Sequence, residues 1–379
     1  MAKRFALIGR VVFPDECVKE NFLIGSDGDT VLCSAPADSE EARAFCEGLA
    51  REDIRIVPAD TLIAPAFIDI HCHGGLTYPS YEEPEKLRAY HRENGTGSQL
   101  LTFYRNVPYD AVLRACETIK QLQKSDRGLL GIHMEGPYLN PRYGASFDGK
   151  ENRPCAEEDQ KIIDTGLVKQ WTFAPEVEGT DEFCRQIAAA GIVPAMGHSA
   201  ADHPTVHRAV KNGARLVTHI FDATGLTDGE LTFAGTKNLD FNDACMLEDG
   251  LYYEVINDRR GVHVRKEMIR LLEKTVGKDR IIGITDCETG KNDALQDVNF
   301  VMAEYEGEMR EEICGSWLTM REVAKNFFDM GYSHEDVFGF ASLHAAKLLG
   351  LDDKIGSLHA GKQADILLIK EDYSSLTYA

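Results

Sequence analysis

Short apolar segments recur along the chain from residue 63 onward, and amphipathic stretches separate most of them. The apolar segments cover residues 63–73, 98–105, 128–135, 170–177, 192–199, 215–221, 251–257 and 280–286. Stretches between them, such as YDAVLRACETIKQLQKS and RKEMIRLLEKTVG, repeat apolar residues at helical spacing. Eight strands that alternate with helices predict an α/β fold, a (β/α)8 TIM-type barrel. A doubly wound open sheet is the alternative, but no glycine-rich nucleotide turn follows the first strand.

The two ends of the chain have a different pattern, in which short β segments do not alternate with helices. RFALIGRVVF, FLIGSDGDTVLC and RIVPADTLIA lie near the start, and IGSLHAGKQADILLI lies near the end. We expect the two ends to pair into a small β-sandwich domain. The predicted domains are therefore residues 63–352 for the barrel and residues 1–62 with 353–379 for the small domain.

Charge and composition restrict the partners. The chain of 379 residues has a formal net charge of −21. This charge repels nucleic acids and anionic membranes, so we expect neither as a partner and a small molecule as the substrate. No run of about 18 apolar residues is present, so we expect no membrane span. The ten cysteines form no CxxC pair and Arg10 interrupts the first apolar stretch, which predicts a cytoplasmic protein without a signal peptide.

The segment FIDIHCHGG ends in two histidines that are one residue apart. Because side chains alternate along a strand, His71 and His73 share one face, and both imidazoles can reach one ion. A lone histidine in an apolar strand is more often a hydrogen-bonded core residue. A pair of histidines at a strand end is therefore the stronger indication of a metal site.

Other ionisable residues lie at the corresponding ends of further strands, and in a barrel these ends meet at one rim. The residues at the ends of five predicted strands are His71, His73, His133, Glu135, His198, His219 and Asp286. Imidazoles and carboxylates without a thiolate cluster suit zinc, iron or manganese. We therefore predict a divalent metal site at the rim, with His133 supporting a ligand rather than binding the ion.

These residues lie in motifs that resemble the amidohydrolase superfamily, and more closely its N-acetylglucosamine-6-phosphate deacetylases. The matching stretches follow the family's order between about residues 60 and 370. They are APAFIDIHCHGG, GIHMEGPYLNP, GHSAADHPTVHRAVKNGARLVTHIFDAT, GITD, GSWLTM and IGSLHAGKQADILLI. The resemblance implies a metal-dependent hydrolase that removes the acetyl group of an N-acetylated amino sugar, N-acetylglucosamine 6-phosphate or a close analogue.

The resemblance also implies roles for single residues. One metal ion would be held by Glu135, His198 and His219, and His71 with His73 would add a second. The fourth predicted strand ends without the lysine that bridges the two metals in many superfamily members, so Glu135 is the expected bridge. One or two ions per chain are expected, with zinc preferred over iron or manganese. Asp286 would be the general acid/base.

Several substrate contacts follow from the same resemblance, and some depart from the family's pattern. Ser146 stands where the family has a histidine, and Asp222 stands where it has an asparagine. The region that supplies an arginine for the sugar phosphate lacks one, and Arg259 either replaces it or lies in a solvated loop. The implied substrate-binding residues are His263, Asp222, Ala223, Ser146, Arg259 and Leu318.

The departures leave two alternatives to the sugar deacetylase. One is an amidohydrolase that acts on a different amide, such as an N-acyl amino acid or a cyclic imide. The other is a noncatalytic barrel that serves as an assembly scaffold, which predicts lost ligands, although all of the expected ligand positions are filled. The family commonly forms dimers, so the resemblance also implies a homodimer.

Overall fold

A computed structural model describes residues 4–104, 107–144, 152–225, 235–236, 238–290, 298–305 and 308–379. Its strands are β1 (Phe5–Val12), β2 (Val18–Ser26), β3 (Val31–Pro36), β4 (Ile54–Ile56), β5 (Thr61–Pro65), β6 (Phe67–Asp69), β7 (Gly74–Gly75), β8 (Tyr78–Pro79), β9 (Thr96–Tyr104), β10 (Leu129–Glu135), β11 (Val168–Phe173), β12 (Val193–Met196), β13 (Leu216–Val217), β14 (Tyr252–Ile256), β15 (Ile281–Ile284), β16 (Val298–Tyr305), β17 (Glu308–Ser316), β18 (Ile366–Lys370) and β19 (Leu376–Tyr378). Its α-helices are α1 (Glu40–Cys46), α2 (Pro84–Glu93), α3 (Tyr109–Leu122), α4 (Ala156–Ile163), α5 (Thr180–Ala189), α6 (His203–Lys211), α7 (Phe241–Met246), α8 (Lys266–Val276), α9 (Met320–Asp329), α10 (His334–Phe338) and α11 (His344–Leu348).

The predicted barrel is confirmed. Eight strands form one sheet in the order β6-β9-β10-β11-β12-β13-β14-β15, so each strand lies beside its neighbour in the sequence. The backbone N–H of Asp286 donates to the carbonyl of His71 at 2.9 Å, and Cys72 and Cys287 form a parallel bridge. These contacts join the extensions of the first and last strands. The sheet is therefore a nearly closed barrel rather than an open doubly wound sheet, and the carboxyl ends of its strands share one rim.

The first apolar segment, which the pattern predicts as one strand over 63–73, is divided in the structure. Its first part belongs to β5, which pairs antiparallel with β18. The short β6 follows, and the two histidines of the HxH motif lie beyond it. Periodicity alone does not locate this division, because all five residues of β5 are buried and the apolar run continues without a break.

The predicted pairing of the two chain ends is also confirmed. Their strands form a sheet in the order β19-β18-β5-β1-β2-β3, with β4 beside β1. Side chains alternate between its faces as strand geometry requires. Leu7 and Ile24 pack in one hydrophobic cluster, whereas their neighbours Ala6 and Leu23 pack in another.

The backbone separates into two compact units. One unit contains the described residues up to Asp69 together with His91–Ser98 and Thr319–Ala379, and the other contains Ile70–Tyr90 and Gln99–Leu318. The ionisable residues of the barrel rim that follow all belong to the second unit. None of the helices in the described ranges is both long and apolar enough to cross a membrane.

An aromatic cluster holds α5 against the barrel wall. Phe183 of α5 is 1% exposed, and its ring lies edge-on to Tyr138, Trp171 and Phe173, with centroid separations of 5.0, 5.0 and 5.8 Å. Edge-to-face contacts add to the free energy gained by burial. This side chain therefore anchors the helix to β11, which contributes two of the three rings.

We expect Phe183→Ala to lower the free energy of unfolding by about 3–5 kcal/mol, because it removes a buried ring that contacts three others and leaves a cavity between them. Denaturant unfolding followed by circular dichroism measures the change. Leu271→Ala on α8 is the matched control, since Leu271 is 46% exposed and its loss is expected to change stability by less than about 0.5 kcal/mol. Equal effects of the two substitutions would contradict the anchoring role.

Candidate metal centre and active site

The structure brings the predicted metal ligands and the predicted acid/base together at one rim of the barrel. They follow or end five different strands: His71 and His73 after β6, Glu135 at the end of β10, His198 after β12, His219 after β13 and Asp286 after β15. Five of them are at most 7% exposed, and His198 is partly buried. The shared rim follows directly from the parallel direction of the strands.

Glu135 lies at the centre of this group. Its Oε1 is 3.0 Å from Nε2 of His198, 3.1 Å from Nε2 of His219 and 3.4 Å from Nε2 of His71. Its Oε2 is 3.1 Å from Nε2 of His73. One carboxylate therefore contacts four imidazoles, three through Oε1 and one through Oε2.

The donor atoms form two sets that each fit one divalent cation. Within each set the ligand atoms lie within 4.8 Å of one another: Glu135, His198 and His219 in the first, and His71, His73 and Asp286 in the second. The Nε2 atoms are 3.1 Å apart in the first set and 3.3 Å apart in the second. Two nitrogens at about 2.0–2.1 Å from a tetrahedral ion are separated by about 3.3 Å, so the spacing suits ligands of one ion.

Hydrogen bonds to the far side of two rings orient the imidazoles for this role. Nδ1 of His198 is 3.1 Å from the carbonyl oxygen of Tyr143, and Nδ1 of His71 is 3.1 Å from Oε2 of Glu254. Both partners accept, so each holds a proton on Nδ1, and a ring that binds a metal ion through Nε2 keeps its proton there. This is the tautomer that a metal ligand requires.

Glu254 is a functional residue that the sequence prediction missed. It is fully buried in β14, and its Oε1 accepts a hydrogen bond of 2.7 Å from Nε2 of Gln170. Its other oxygen faces His71, so the carboxylate fixes that ring from behind. A sequence signal was present, since an acidic residue inside the apolar segment LYYEVIN costs free energy unless it is paired.

The charges at the rim shift one another's pKa values. Burial alone raises the pKa of Glu135, but His71 and His198 outweigh it and hold that pKa well below its usual range. Burial alone lowers the pKa of His71, but the carboxylates of Asp286, Glu135 and Glu254 raise it well above its usual range. The site is therefore a group of buried carboxylates and imidazoles that stabilise one another's charged forms.

A cavity of about 400 Å³ opens beside this group. Four carboxylates line it, namely Glu135, Asp222, Asp286 and Glu288, and none of the described lining residues is a lysine or an arginine. Glu288, which the sequence prediction also missed, accepts a hydrogen bond from the hydroxyl of Tyr104. Burial raises the pKa of Glu288 to about 7, opposed in part by the charge of His73.

The predicted substrate-binding residues divide into two groups. Asp222 and Ala223 line the cavity, whereas His263, Arg259 and Leu318 are not among its lining residues. Arg259 is exposed and Leu318 is buried. Ser146 lies outside the described residues. The substrate contacts therefore remain predictions.

Both ring nitrogens of His263 are bonded within the protein. Nδ1 is 3.2 Å from Oδ2 of Asp258, and Nε2 is 3.0 Å from the carbonyl oxygen of Gly315. Burial alone lowers the pKa of His263, but Asp258 and the charge of Asp222 raise it. Because both partners are acceptors, the imidazolium form donates to each, and it ties the loop after β14 to the end of β17.

The backbone at the rim adopts an unusual conformation. His198, His219, Ala223 and Asp286 have φ values of 49°, 25°, 49° and 45°. Residues with a Cβ rarely occupy this left-handed region, and they do so mainly where the surrounding structure holds them for function. Gly144, with φ of 82°, lies against His198, where a Cβ would be 2.4 Å from Nδ1 of that ring.

Comparison with known proteins decides the family. The amidohydrolase family model matches residues 62–378. The chain belongs to the amidohydrolase family. The resemblance inferred from its motifs is therefore confirmed, and the strand-end histidines and acids occupy the barrel rim of a member of this family of hydrolases.

Curated amidohydrolase relatives match over most of their length. An N-acetylglucosamine-6-phosphate deacetylase of Bacillus subtilis (strain 168) is 29% identical over 389 aligned positions, which cover 96% of this chain and 92% of the relative. An N-acetylgalactosamine-6-phosphate deacetylase of Escherichia coli O157:H7 is 28% identical over 328 positions, which cover 81% and 83%.

Solved structures share the fold of this amidohydrolase. N-acetylglucosamine-6-phosphate deacetylase from Pasteurella multocida aligns with a TM-score of 0.83 at 22% identity, covering 99% of this chain and 98% of that one. A mutant of the enzyme from Mycobacterium smegmatis, in complex with N-acetyl-D-glucosamine-6-phosphate, aligns with a TM-score of 0.82 at 24% identity, covering 100% and 98%.

We expect Glu254→Gln to weaken the binding of zinc by about 10–100-fold, because it removes the charge that fixes the ring of His71. Competition with a chromophoric chelator measures the affinity. Glu117→Gln is the matched control, since the Glu117 side chain is 70% exposed and pairs only with Lys120 in the described ion pairs. Unchanged zinc affinity in Glu254→Gln would show that His71 does not depend on this carboxylate.

Proposed function

We propose that the chain is a metal-dependent amide hydrolase that removes the acetyl group from an N-acetylated amino sugar, N-acetylglucosamine 6-phosphate or a close analogue. The observation that carries the proposal is the contact of Glu135 with four imidazole Nε2 atoms, with Asp286 beside them at an open cavity. The names of the two curated relatives, an N-acetylglucosamine-6-phosphate deacetylase and an N-acetylgalactosamine-6-phosphate deacetylase, support the choice of reaction.

In this proposal the two donor sets hold one or two divalent ions, with zinc as the expected metal. Glu135 reaches both sets, because Oε1 faces His198 and His219 while Oε2 faces His73. This contact supports its predicted role as the bridge between the two ions. A cation bound here supplies a Lewis acid for the amide carbonyl and lowers the pKa of water.

Asp286 is the proposed proton carrier. Its Oδ1 is 3.3 Å from Nε2 of His71 and 3.5 Å from Nε2 of His73, and the residue lines the cavity. The carboxylate takes a proton from the attacking water and delivers it to the amine nitrogen as the amide C–N bond breaks. Acetate and a free amino sugar are then the products.

The carboxylates of the cavity favour one alternative substrate class. Asp222 and the ionised fraction of Glu288, whose pKa is about 7, add negative charge to a described wall that has no lysine or arginine. Such a wall repels a phosphate at close range. An N-acyl amino acid or another amide without a phosphate is therefore the second candidate. The family's amide chemistry is the same in both cases.

The remaining expectations from the sequence accompany this proposal without support from the structure. They are the homodimer, the cytoplasmic location and the preference for zinc over iron or manganese. The substrate contacts of His263, Arg259, Leu318 and Ser146 likewise remain predictions.

We expect Asp286→Asn to lower kcat by about 10²–10⁴, because the amide side chain cannot carry the proton. Acetate release measures the rate, and metal analysis of the same samples corrects that rate for zinc lost from the donor set of His71, His73 and Asp286. Asp279→Asn serves as the control, since the side chain of Asp279 is 71% exposed. Full activity of Asp286→Asn would exclude the proposed proton transfer.

A panel of substrates tests the proposed specificity. Acetate release is compared for N-acetylglucosamine 6-phosphate, free N-acetylglucosamine and N-acetyl amino acids. We expect turnover of at least one of the two sugars. A preference for the free sugar over its phosphate would indicate that the carboxylates lining the cavity select against the phosphate group. If an acyl amino acid is hydrolysed while neither sugar is, the sugar assignment is wrong and the second candidate stands.

A further inference from the structure

An acidic residue connects the loops that follow three neighbouring strands of the barrel. Glu176 lies after β11, the fourth strand of the barrel, from which none of the predicted metal ligands comes. Its Oε1 accepts hydrogen bonds of 2.9 Å from Nδ2 of Asn140 and 2.8 Å from the backbone N–H of Ala200. Its Oε2 accepts a hydrogen bond of 2.6 Å from the hydroxyl of Ser199. One carboxylate therefore joins the loops after β10, β11 and β12.

Two of these partners directly follow His198 in the chain. The backbone of His198 has a φ of 49°, a left-handed conformation that costs free energy in a residue with a Cβ. Glu176 fixes the next two residues, Ser199 through its hydroxyl and Ala200 through its backbone N–H. The hydroxyl oxygen of Ser199 also accepts a hydrogen bond of 3.0 Å from the backbone N–H of Ala201. The turn that carries His198 is therefore held by a side chain from the neighbouring strand end.

The third partner, Asn140, belongs to a turn that contacts His198 at two further points. The backbone N–H of Asn140 donates to the carbonyl of His198 at 3.1 Å, and the N–H of Tyr143 donates to the carbonyl of Asn140 at 3.2 Å. The carbonyl oxygen of Tyr143 is 3.1 Å from Nδ1 of His198. The hydrogen bond from Asn140 to Glu176 is therefore only one backbone turn away from the ring of His198.

The same segment forms part of the cavity wall. Leu139, Tyr143 and Gly144 line the cavity, whereas Glu176 is not among the lining residues that the structure describes. A substrate in the cavity would therefore meet the turn and not the carboxylate that holds it. Any effect of Glu176 on the site must pass through the residues to which it is bonded.

We propose that Glu176 is a positioning residue of the metal centre, which holds His198 in place for ion binding through Asn140, Ser199 and Ala200. This inference rests on the proposed function, because it concerns the same metal centre. Hydrogen bonds to a carboxylate are stronger than those between neutral groups. Removal of a group that orients a metal ligand typically lowers the metal affinity by about 10–100-fold.

Competition with a chromophoric chelator for zinc tests the proposal. We expect Glu176→Ala to bind zinc about tenfold more weakly than the unmodified chain, because all three hydrogen bonds are lost. Glu176→Gln keeps the shape and one carbonyl oxygen, and the hydroxyl of Ser199 turns to accept from the new amide. We therefore expect its zinc affinity to lie closer to that of the unmodified chain than to that of Glu176→Ala.

The matched control is Glu178→Ala, which changes the same loop two residues further on. The side chain of Glu178 is 73% exposed and pairs with Arg153. We expect this variant to bind zinc as tightly as the unmodified chain.

A double-mutant cycle with Asn140→Ala separates positioning from a general loss of structure. Both substitutions remove the same hydrogen bond, so we expect the double variant to lose less zinc affinity than the product of the two single losses. Independent, multiplied losses would show that the two residues do not act together. If Glu176→Ala does not fold, Glu176→Gln and Asn140→Ala form the cycle in its place.

Zinc affinity in Glu176→Ala equal to that of the unmodified chain would overturn the proposal, and so would an equal loss in Glu178→Ala. An unmodified chain that binds no zinc at all would overturn the proposed function, and this inference with it. Acetate release does not enter the measurement, so the identity of the amide substrate does not affect the result.

Discussion

A buried carboxylate among four imidazoles is the constraint on which the rest of the site depends. Glu135 is 7% exposed, and a charge in such a place is unstable unless opposite charges or a cation surround it. The imidazoles that surround it come from three other strand ends, so the charge balance exists only when the barrel is closed. Folding and the assembly of the site are therefore the same event for this part of the chain.

A layer of buried polar side chains behind the rim holds these groups in place. Gln170 donates to Glu254, which faces His71, and His133 lies between the hydroxyls of Thr102 and Thr172 at 3.2 and 2.8 Å. Burial and the charge of His71 hold the pKa of His133 well below its usual range, so its ring is neutral. These hydrogen bonds between buried polar side chains orient the groups at the rim.

The sequence predicts the barrel and the rim well because both depend on local patterns. Each apolar segment predicts a strand, and a histidine or an acidic residue at its carboxyl end predicts a position at the rim. This prediction does not depend on the length of the segments that connect the strands. Glu254 and Glu288 were missed because their roles depend on partners from distant strands, His71 for one and Tyr104 for the other. The division between β5 and β6 was missed for a related reason, since only the pairing of β5 with β18 separates them.

His198, His219 and Asp286 have a left-handed backbone conformation. At these positions the side chain that the proposed site needs lowers the stability of the fold. A residue with a Cβ in this region costs about 1–2 kcal/mol, and glycine would remove that penalty. Laboratory selection for heat resistance alone would therefore favour glycine at three positions that the proposed reaction requires. A thermostable descendant of this chain would have to be obtained by improving the outer helices and the terminal sheet, while these three residues are left as they are.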